Sequence, residues 1–255
     1  MRSRLLPHAL VLLLITGLVV APWVARNSIL HGRFSWIEDS LGYNMYLGYH
    51  PSGNGSFQAG ISLDLLPIID DNQRSQAGMQ AAIQFIQADP LRAIWLCLSR
   101  LGYFFNLEYR AMVYFYSNGY FGFIPPLILF IGGLALVLPF VFVTVSAALG
   151  LARPWNRNTW LIVLFSLGYL LPNVLVLAEE RFHLVLVPLL AIFAAHAWNN
   201  WKGLRTYWRG HSWVLALAVV VILMLACNWG FQLWGDAGKL AAVLGPNGNH
   251  AFFSY

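Results

Sequence analysis

Five long apolar runs restrict this chain to one kind of architecture. The first follows Arg2 and Arg4 and ends near Val24, and the others cover residues 125–149, 159–177, 182–198 and 212–234. A helix rises 1.5 Å per residue, so about 20 apolar residues cross the ~30 Å hydrocarbon core of a bilayer. Inside that core each backbone N–H and C=O must be satisfied within its own structure, which favours helices. Pro139, Pro172 and Pro188 fall inside these runs, where membrane helices tolerate proline with a kink. The expected fold is all-α and integral to the membrane. It has about five transmembrane helices, plus an extracytoplasmic loop region with one amphipathic and one interfacial helix.

Composition agrees with that class. Of 255 residues, 59% are hydrophobic and 10% charged, against roughly 25% charged in a soluble domain. Mean hydropathy is +0.63. The net charge of +5 sits in short clusters beside apolar runs, where it suits lipid headgroups and topology. No basic stripe suited to nucleic acid is present. Cys97 and Cys227 lie in apolar runs and read as small buried hydrophobes, without the spacing of a disulfide or zinc site.

Four regions follow. Residues 1–24 form the first transmembrane helix. A cleaved signal peptide is the rival reading, but Pro22 after Val19-Val20-Ala21 and bulky Trp23 before Ala25 both spoil the cleavage site. Residues 25–124 form the extracytoplasmic loop and interfacial helices, 125–234 a four-helix transmembrane region, and 235–255 a loosely ordered extracytoplasmic tail. Within the loop, the Gly/Asn/Pro cluster from Gly42 to Gly55 is read as turns, irregular from Pro51 to Gly60. Asp70 or Asp71 caps a helix running to Ala88, with Met79, Ala82, Ile83 and Ile86 on one face. Asp89-Pro90 then starts a helix to about Glu108. Its Arg92, Ser99, Tyr103, Asn106 and Arg110 form a narrow polar stripe flanked by Trp95, Leu98, Phe104 and Phe105, which suits an interfacial helix.

Charge placement gives a topology. With the amino terminus inside, the short inner segments carry Arg2, Arg4, Arg153, Arg157, Lys202, Arg205 and Arg209, as the positive-inside rule requires. An odd number of spans follows, so the helix at Pro90 should not cross. The long loop and the Glu179-Glu180-Arg181-Phe182-His183 cluster then face outside together.

Candidate chemistry lies on that outer face. Arg26, Arg33, Arg92, Arg100, Arg110 and Arg181 offer planar forks that match phosphate oxygens, or serve as ordinary interfacial anchors. Arg181 stands out beside two carboxylates and His183 at a span boundary, although a structural ion pair explains it as well. Glu38-Asp39 and Asp70-Asp71 are paired acids, able to act as a general base or ligate a cation, or simply to cap and solvate turns. His183 is an acid–base candidate or a bland interfacial histidine. No phosphate-binding glycine loop, zinc-ligand spacing or nucleophile elbow occurs.

The run Pro22-Trp23-Val24-Ala25-Arg26-Asn27, then Gly32-Arg33-Phe34 and Gly42-Tyr43-Asn44 … Gly48 … Pro51 … Gly55, resembles the later half of bacterial GT-C glycosyltransferases. These are multi-span enzymes similar to dolichyl-phosphate-mannose protein mannosyltransferases and to the aminoarabinose transferases of lipid A. Residues 82–100, with Phe85-Ile86 and Asp89-Pro90, look like the amphipathic pair after that loop. Glu180-Arg181-Phe182-His183-Leu184 … Pro188 resembles the family's arginine- and proline-marked entry into a late span. The resemblance covers roughly residues 5–200.

It implies sugar transfer from a polyprenyl-phosphate donor to an acceptor outside the bacterial inner membrane. Basic residues or a divalent cation would hold the lipid phosphate, with Arg181, Arg26, Arg33 and Arg100 as the candidates. Glu38, Asp39 and His183 are the weaker catalytic candidates. The chain departs from the family in that its first loop matches a later family segment. Glu38 and Asp39 therefore lack the family's catalytic context, and His183 and Val185 stand where arginine and proline are usual. This implies the carboxy-terminal half of such an enzyme, or a descendant that has lost the amino-terminal half, either inactive alone or acting with a partner chain that carries the missing half. The competing reading is a non-catalytic accessory subunit of a cell-envelope glycan pathway. A transporter fits less well, because the spans hold almost no ionisable residues.

Overall fold

The computed structural model describes residues 5–35 and 37–253; Arg2 and Arg4, two of the topology markers, lie outside them. The described residues form helices and turns without strands. The elements are α1 (Leu5–His31), α2 (Leu41–Tyr49), α3 (Ala59–Ser62), α4 (Asp71–Ala88), α5 (Pro90–Phe104), α6 (Arg110–Ser117), α7 (Pro126–Leu151), α8 (Arg157–Leu175), α9 (Val187–Asn199), α10 (Trp201–Gly210), α11 (Ser212–Gly235) and α12 (Ala237–Val243). Short 3-10 turns cover Glu180–Val185 and Gly248–His250.

Four of these helices, α1, α7, α8 and α11, are long and apolar enough to cross a membrane. Their side chains are mostly exposed, as expected of surfaces whose solvent is lipid. This is an all-helical protein of the multi-pass membrane type. The apolar run expected at 182–198 differs from the others. A 3-10 turn takes its first residues, leaving a 13-residue α9 only about 20 Å long. Packing against α7 is what holds α9, with Gly150 placed so that a Cβ there would meet the Phe193 carbonyl oxygen at 2.0 Å.

The helix starts of the loop region obey capping chemistry. Asp70 accepts from the Gln73 N–H at 2.8 Å and Asp89 from the Arg92 N–H at 2.9 Å, with Pro90 at the first helical position. Each carboxylate satisfies one of the amides that a helix start leaves without a partner. The glycine-rich stretch behaves otherwise than its turn-like composition suggests, since residues 41–49 form α2. Gly42 and Gly48 serve close approach there. A Cβ on Gly42 would lie 1.8 Å from the Ser75 carbonyl oxygen of α4, and one on Gly48 1.9 Å from that of Val176.

The tail also differs from expectation. It forms α12 and packs on α6, with Val243 buried and the Phe252 N–H donating to the Ser117 carbonyl at 3.0 Å. Cys97 is half-buried as a free thiol, but Cys227 is free and exposed on α11, unlike the buried residue its apolar run suggests.

Two ends of the bundle have opposite character. At one, Trp208 and Leu204 of α10 bury against Ala152, Ala197 and Ala218. Arg153 Nη1 there lies 3.1 and 2.8 Å from the two ring nitrogens of His196 and donates to whichever is unprotonated. At the other end the helices of the 41–117 region pack on the carboxy-terminal ends of α8 and α11. All ten acidic residues belong to segments of that second end, residues 38–108, 179–180 and 236.

Candidate functional site: a charged cleft beside α5

Helix α5 organises the acidic end because its faces meet different partners. Arg100 lies on the inner face and is fully buried, at 0% exposure. Its Nη1 donates to the carbonyls of Val174 (3.1 Å) and Leu175 (3.0 Å), its Nε to Gly55 (3.3 Å) and its Nη2 to Gly48. The guanidinium carbon sits 4.1 Å from the centre of the Tyr49 ring, a cation–π contact. Tyr49 itself donates to Leu175 O at 2.8 Å. One side chain thus ties α2, the 50–58 loop and the end of α8 together. About two turns earlier, Arg92 does the same for the Tyr49, His50 and Gly53 carbonyls, at 2.7–3.1 Å.

The outer polar stripe of α5 borders a cleft of about 920 Å³. Ser99 and Tyr103 of α5 line it, and so do Asn106 and Arg110, but these two lie beyond the end of α5 at Phe104, in the following turn and at the start of α6. The single helix expected to about Glu108 breaks there, and Arg92 turns away to the 49–53 carbonyls. The facing wall is α11 and its continuation into α12. Asn228, Gln232 and Asp236 recur every four residues on an otherwise apolar helix and so share a face. Asn228 Nδ2 donates to Gly102 O (3.1 Å) and Asn106 Oδ1 (2.9 Å). Gln232 exchanges two bonds with the Leu107 backbone, at 2.7 and 3.0 Å. Tyr109 donates to Asp236 at 2.9 Å, and Lys239 pairs with the same carboxylate at 3.1 Å. This polar repeat in α11 was the available signal for the second wall; the run's overall hydrophobicity concealed it.

Glu180 closes the cleft floor. It is buried, and its Oε2 lies 4.0 Å from Arg110 Nη1. Burial pushes its carboxyl above the ordinary glutamate value, against the opposing pull of Arg110. Glu108, next to the cleft, is pushed up to about 7 by burial and then by the negative charge of Glu180. Glu108 Oε2 and Glu179 Oε1 are buried without hydrogen-bond partners. Three carboxyls therefore crowd two arginines, two of the three keep an unpartnered buried oxygen, and the crowding holds Glu108 protonatable near neutral pH.

The residues singled out in the sequence are dispersed by the fold. Arg100 is committed to backbone carbonyls and does not reach the cleft. Arg33 pairs with Asp70 at 3.0 Å, which also caps α4. Arg26 is exposed and lies 5.0 Å from the Trp23 ring. Arg181, about half exposed, pairs with Glu179 at 3.0 Å. His183 is a core residue at 0% exposure. Its Nδ1 lies 2.9 Å from Phe104 O and its ring stacks on Phe140 at 3.8 Å. Glu38 and Asp39 line a separate cleft of about 310 Å³ with Asp71 and Arg74. Among the described residues no three His, Cys, Asp or Glu side chains are arranged to hold a metal ion. These donor sets do not fit a resident divalent cation. Sequence reasoning named Glu180 only within its cluster and missed Glu108, Asp236 and Lys239.

No protein-family model, curated protein or solved structure matches the chain.

Proposed function

We propose that the protein is a membrane transferase of the glycosyl-transfer type, with the cleft beside α5 as its reaction chamber. The observation that carries this reading is Glu180, a buried carboxyl with a raised pKa lining a 920 Å³ cleft at 4.0 Å from Arg110. A carboxylate so placed takes the proton of an acceptor hydroxyl as its oxygen attacks the sugar's anomeric carbon. The bond from that carbon to the donor phosphate breaks, and the lipid phosphate leaves as an anion. Arg110 and Lys239 supply positive charge for that anion. The resemblance to GT-C glycosyltransferases supplies the donor class, a polyprenyl-phosphate sugar.

In this reading the acidic end faces the outside of a bacterial inner membrane and the basic end the cytoplasm. Four long helices and the short α9 make five crossings, and the 15-residue α5 lies along the interface. The test is transfer from a panel of labelled polyprenyl-phosphate sugars in membranes containing the chain alone. Glu180→Gln and Arg110→Ala variants run beside it. Transfer abolished in both variants supports the reading. Transfer by the intact chain that survives Glu180→Gln rejects Glu180 as the base.

A non-catalytic subunit of a glycan pathway is the second reading. It is favoured by the absence of all four expected phosphate-binding arginines, Arg26, Arg33, Arg100 and Arg181, from the cleft lining, with Arg100 buried on carbonyls and Arg33 paired with Asp70. Absence of transfer by the chain alone, in a panel validated with an intact family enzyme, would favour it.

A further inference from the structure

The basic end carries a second feature that owes nothing to the cleft. Helix α10 buries Leu204 and Trp208 against the bundle and leaves Lys202, Arg205 and Arg209 exposed. At about 100° per residue, those three cations fall within about 60° of arc on one helix face. Arg157, at the start of α8, is exposed at the same end. No acidic residue occurs between Arg181 and Asp236, or between Tyr109 and Ala178. The described cations of α10 accordingly form no ion pair within the chain. Around them Trp155, Trp160, Trp198, Trp201 and Trp213 are exposed. Such a belt marks the headgroup level of a bilayer. A helix with an apolar face buried, a cationic face open and indoles at its rim has the build of an interfacial helix.

We infer that α10 and the adjoining start of α8 form a docking surface for anionic phospholipid, with Lys202, Arg205 and Arg209 as the headgroup-binding residues. Charge complementarity selects the occupant, since this end of the protein has unpaired cations and no carboxylate. The surrounding tryptophans select a lipid over a soluble anion, because they fix the patch where headgroups lie. The inference is independent of the sugar-transfer reading.

Native mass spectrometry of the full chain in detergent tests it, with phosphatidylglycerol and phosphatidylcholine added in turn. Phosphatidylglycerol should bind preferentially, and Lys202→Gln/Arg205→Gln/Arg209→Gln should weaken it about a hundredfold, given the contribution of each cation near an anionic surface. The charge-keeping variant Lys202→Arg/Arg205→Lys/Arg209→Lys should bind like the parent. Because all three side chains are exposed, the glutamine variant should keep the parent's melting temperature in phosphatidylcholine, which separates lost binding from lost folding. Equal binding of the two lipids by the parent would overturn the inference. So would unchanged phosphatidylglycerol binding by the glutamine variant, or displacement of the lipid by equimolar glycerol phosphate.

Discussion

Arg100 and Glu180 are both buried charged residues of the acidic end, yet their surroundings differ in kind. Arg100 meets four carbonyl oxygens and an aromatic face. Four of the five N–H donors of its planar fork are taken up by protein carbonyls. Glu180 has a backbone hydrogen bond and Arg110 only at 4.0 Å, and the cluster around it is incompletely bonded, since neighbouring Glu108 and Glu179 each keep a buried oxygen without a partner. A satisfied buried ion fixes structure, because any change leaves its partners unpaired. An unsatisfied one costs stability in the resting protein and is retained where chemistry uses it. The contrast makes the first site architectural and is the basis for the reactive role proposed for the second, and it can be broken experimentally.

The largest expected effect is on stability at the first site. Arg100→Met removes the donor shared by the Gly48, Gly55, Val174 and Leu175 carbonyls, leaving Leu175 with Tyr49 alone, and should cost about 3–5 kcal/mol. Arg100→Lys should recover only part, since an ammonium cannot span the same fork. Thermal unfolding in detergent measures both. A melting curve for Arg100→Met close to that of the parent would remove the architectural assignment.

Glu180→Gln should behave in the opposite way. It keeps the shape of the side chain and removes a charge that crowds Glu108 and Glu179, so unfolding should change little. Transfer activity, where the intact chain has it, should fall about 10²–10⁴-fold. Unfolding as severe as that of Arg100→Met would make Glu180 another architectural ion.

A smaller effect probes the backbone around Arg100. Gly48→Ala places a Cβ 1.9 Å from the Val176 carbonyl oxygen and 3.1 Å from Arg100 Nη2, so α8 must shift. The cost should be about 1–3 kcal/mol. Gly203→Ala, on α10 where nothing lies within 4 Å, should stay within about 0.5 kcal/mol of the parent. Similar melting temperatures for the two would mean that α2 does not need its close approach to the end of α8.

What the sequence revealed follows from the range of the interactions involved. Caps and short helical stripes are local, so Asp70, Asp89 and the pair Ser99 and Tyr103 could be read directly, whereas the break after Phe104 that carries Asn106 and Arg110 into a turn and α6 could not. Helix α2 was hidden because Gly42 and Gly48 resemble turn residues, while their purpose, approach to Ser75 and Val176, is visible only across the fold. The role of Arg100 was hidden for the same reason. Its acceptors are backbone carbonyls 45 to 75 positions away, and a carbonyl carries no sequence signature. Arginine on an outer surface invited a phosphate partner, and burial against α8 supplied a different one. The wall formed by Asn228, Gln232 and Asp236 lay inside the expected span at 212–234 and its edge, where three polar residues barely alter the average.

The smallest expected effect is a pH dependence at Glu108. Its carboxyl, ordinarily near 4.5, is pushed up to about 7, first by burial and then by the Glu180 charge; Arg181 and Arg110 pull it down and Glu179 adds to the rise. Between those two values the folded protein holds a proton that the unfolded chain has released. Stability from this group is therefore fully present below about 4.5, declines as pH rises through about 7, and levels off above it. The side chain is only about half buried, so solvent screening limits the decline to about 1 kcal/mol. Glu108→Gln should flatten that part of the profile. Glu180→Gln should move its upper end to lower pH by removing the second-largest cause of the shift. Melting temperatures between about pH 4.5 and 8 decide the matter. A slope that persists in Glu108→Gln would place the titrating group elsewhere. A profile unaffected by Glu180→Gln would mean that the two carboxyls do not sense each other, and the reactive character assigned to the cleft would lose its electrostatic basis.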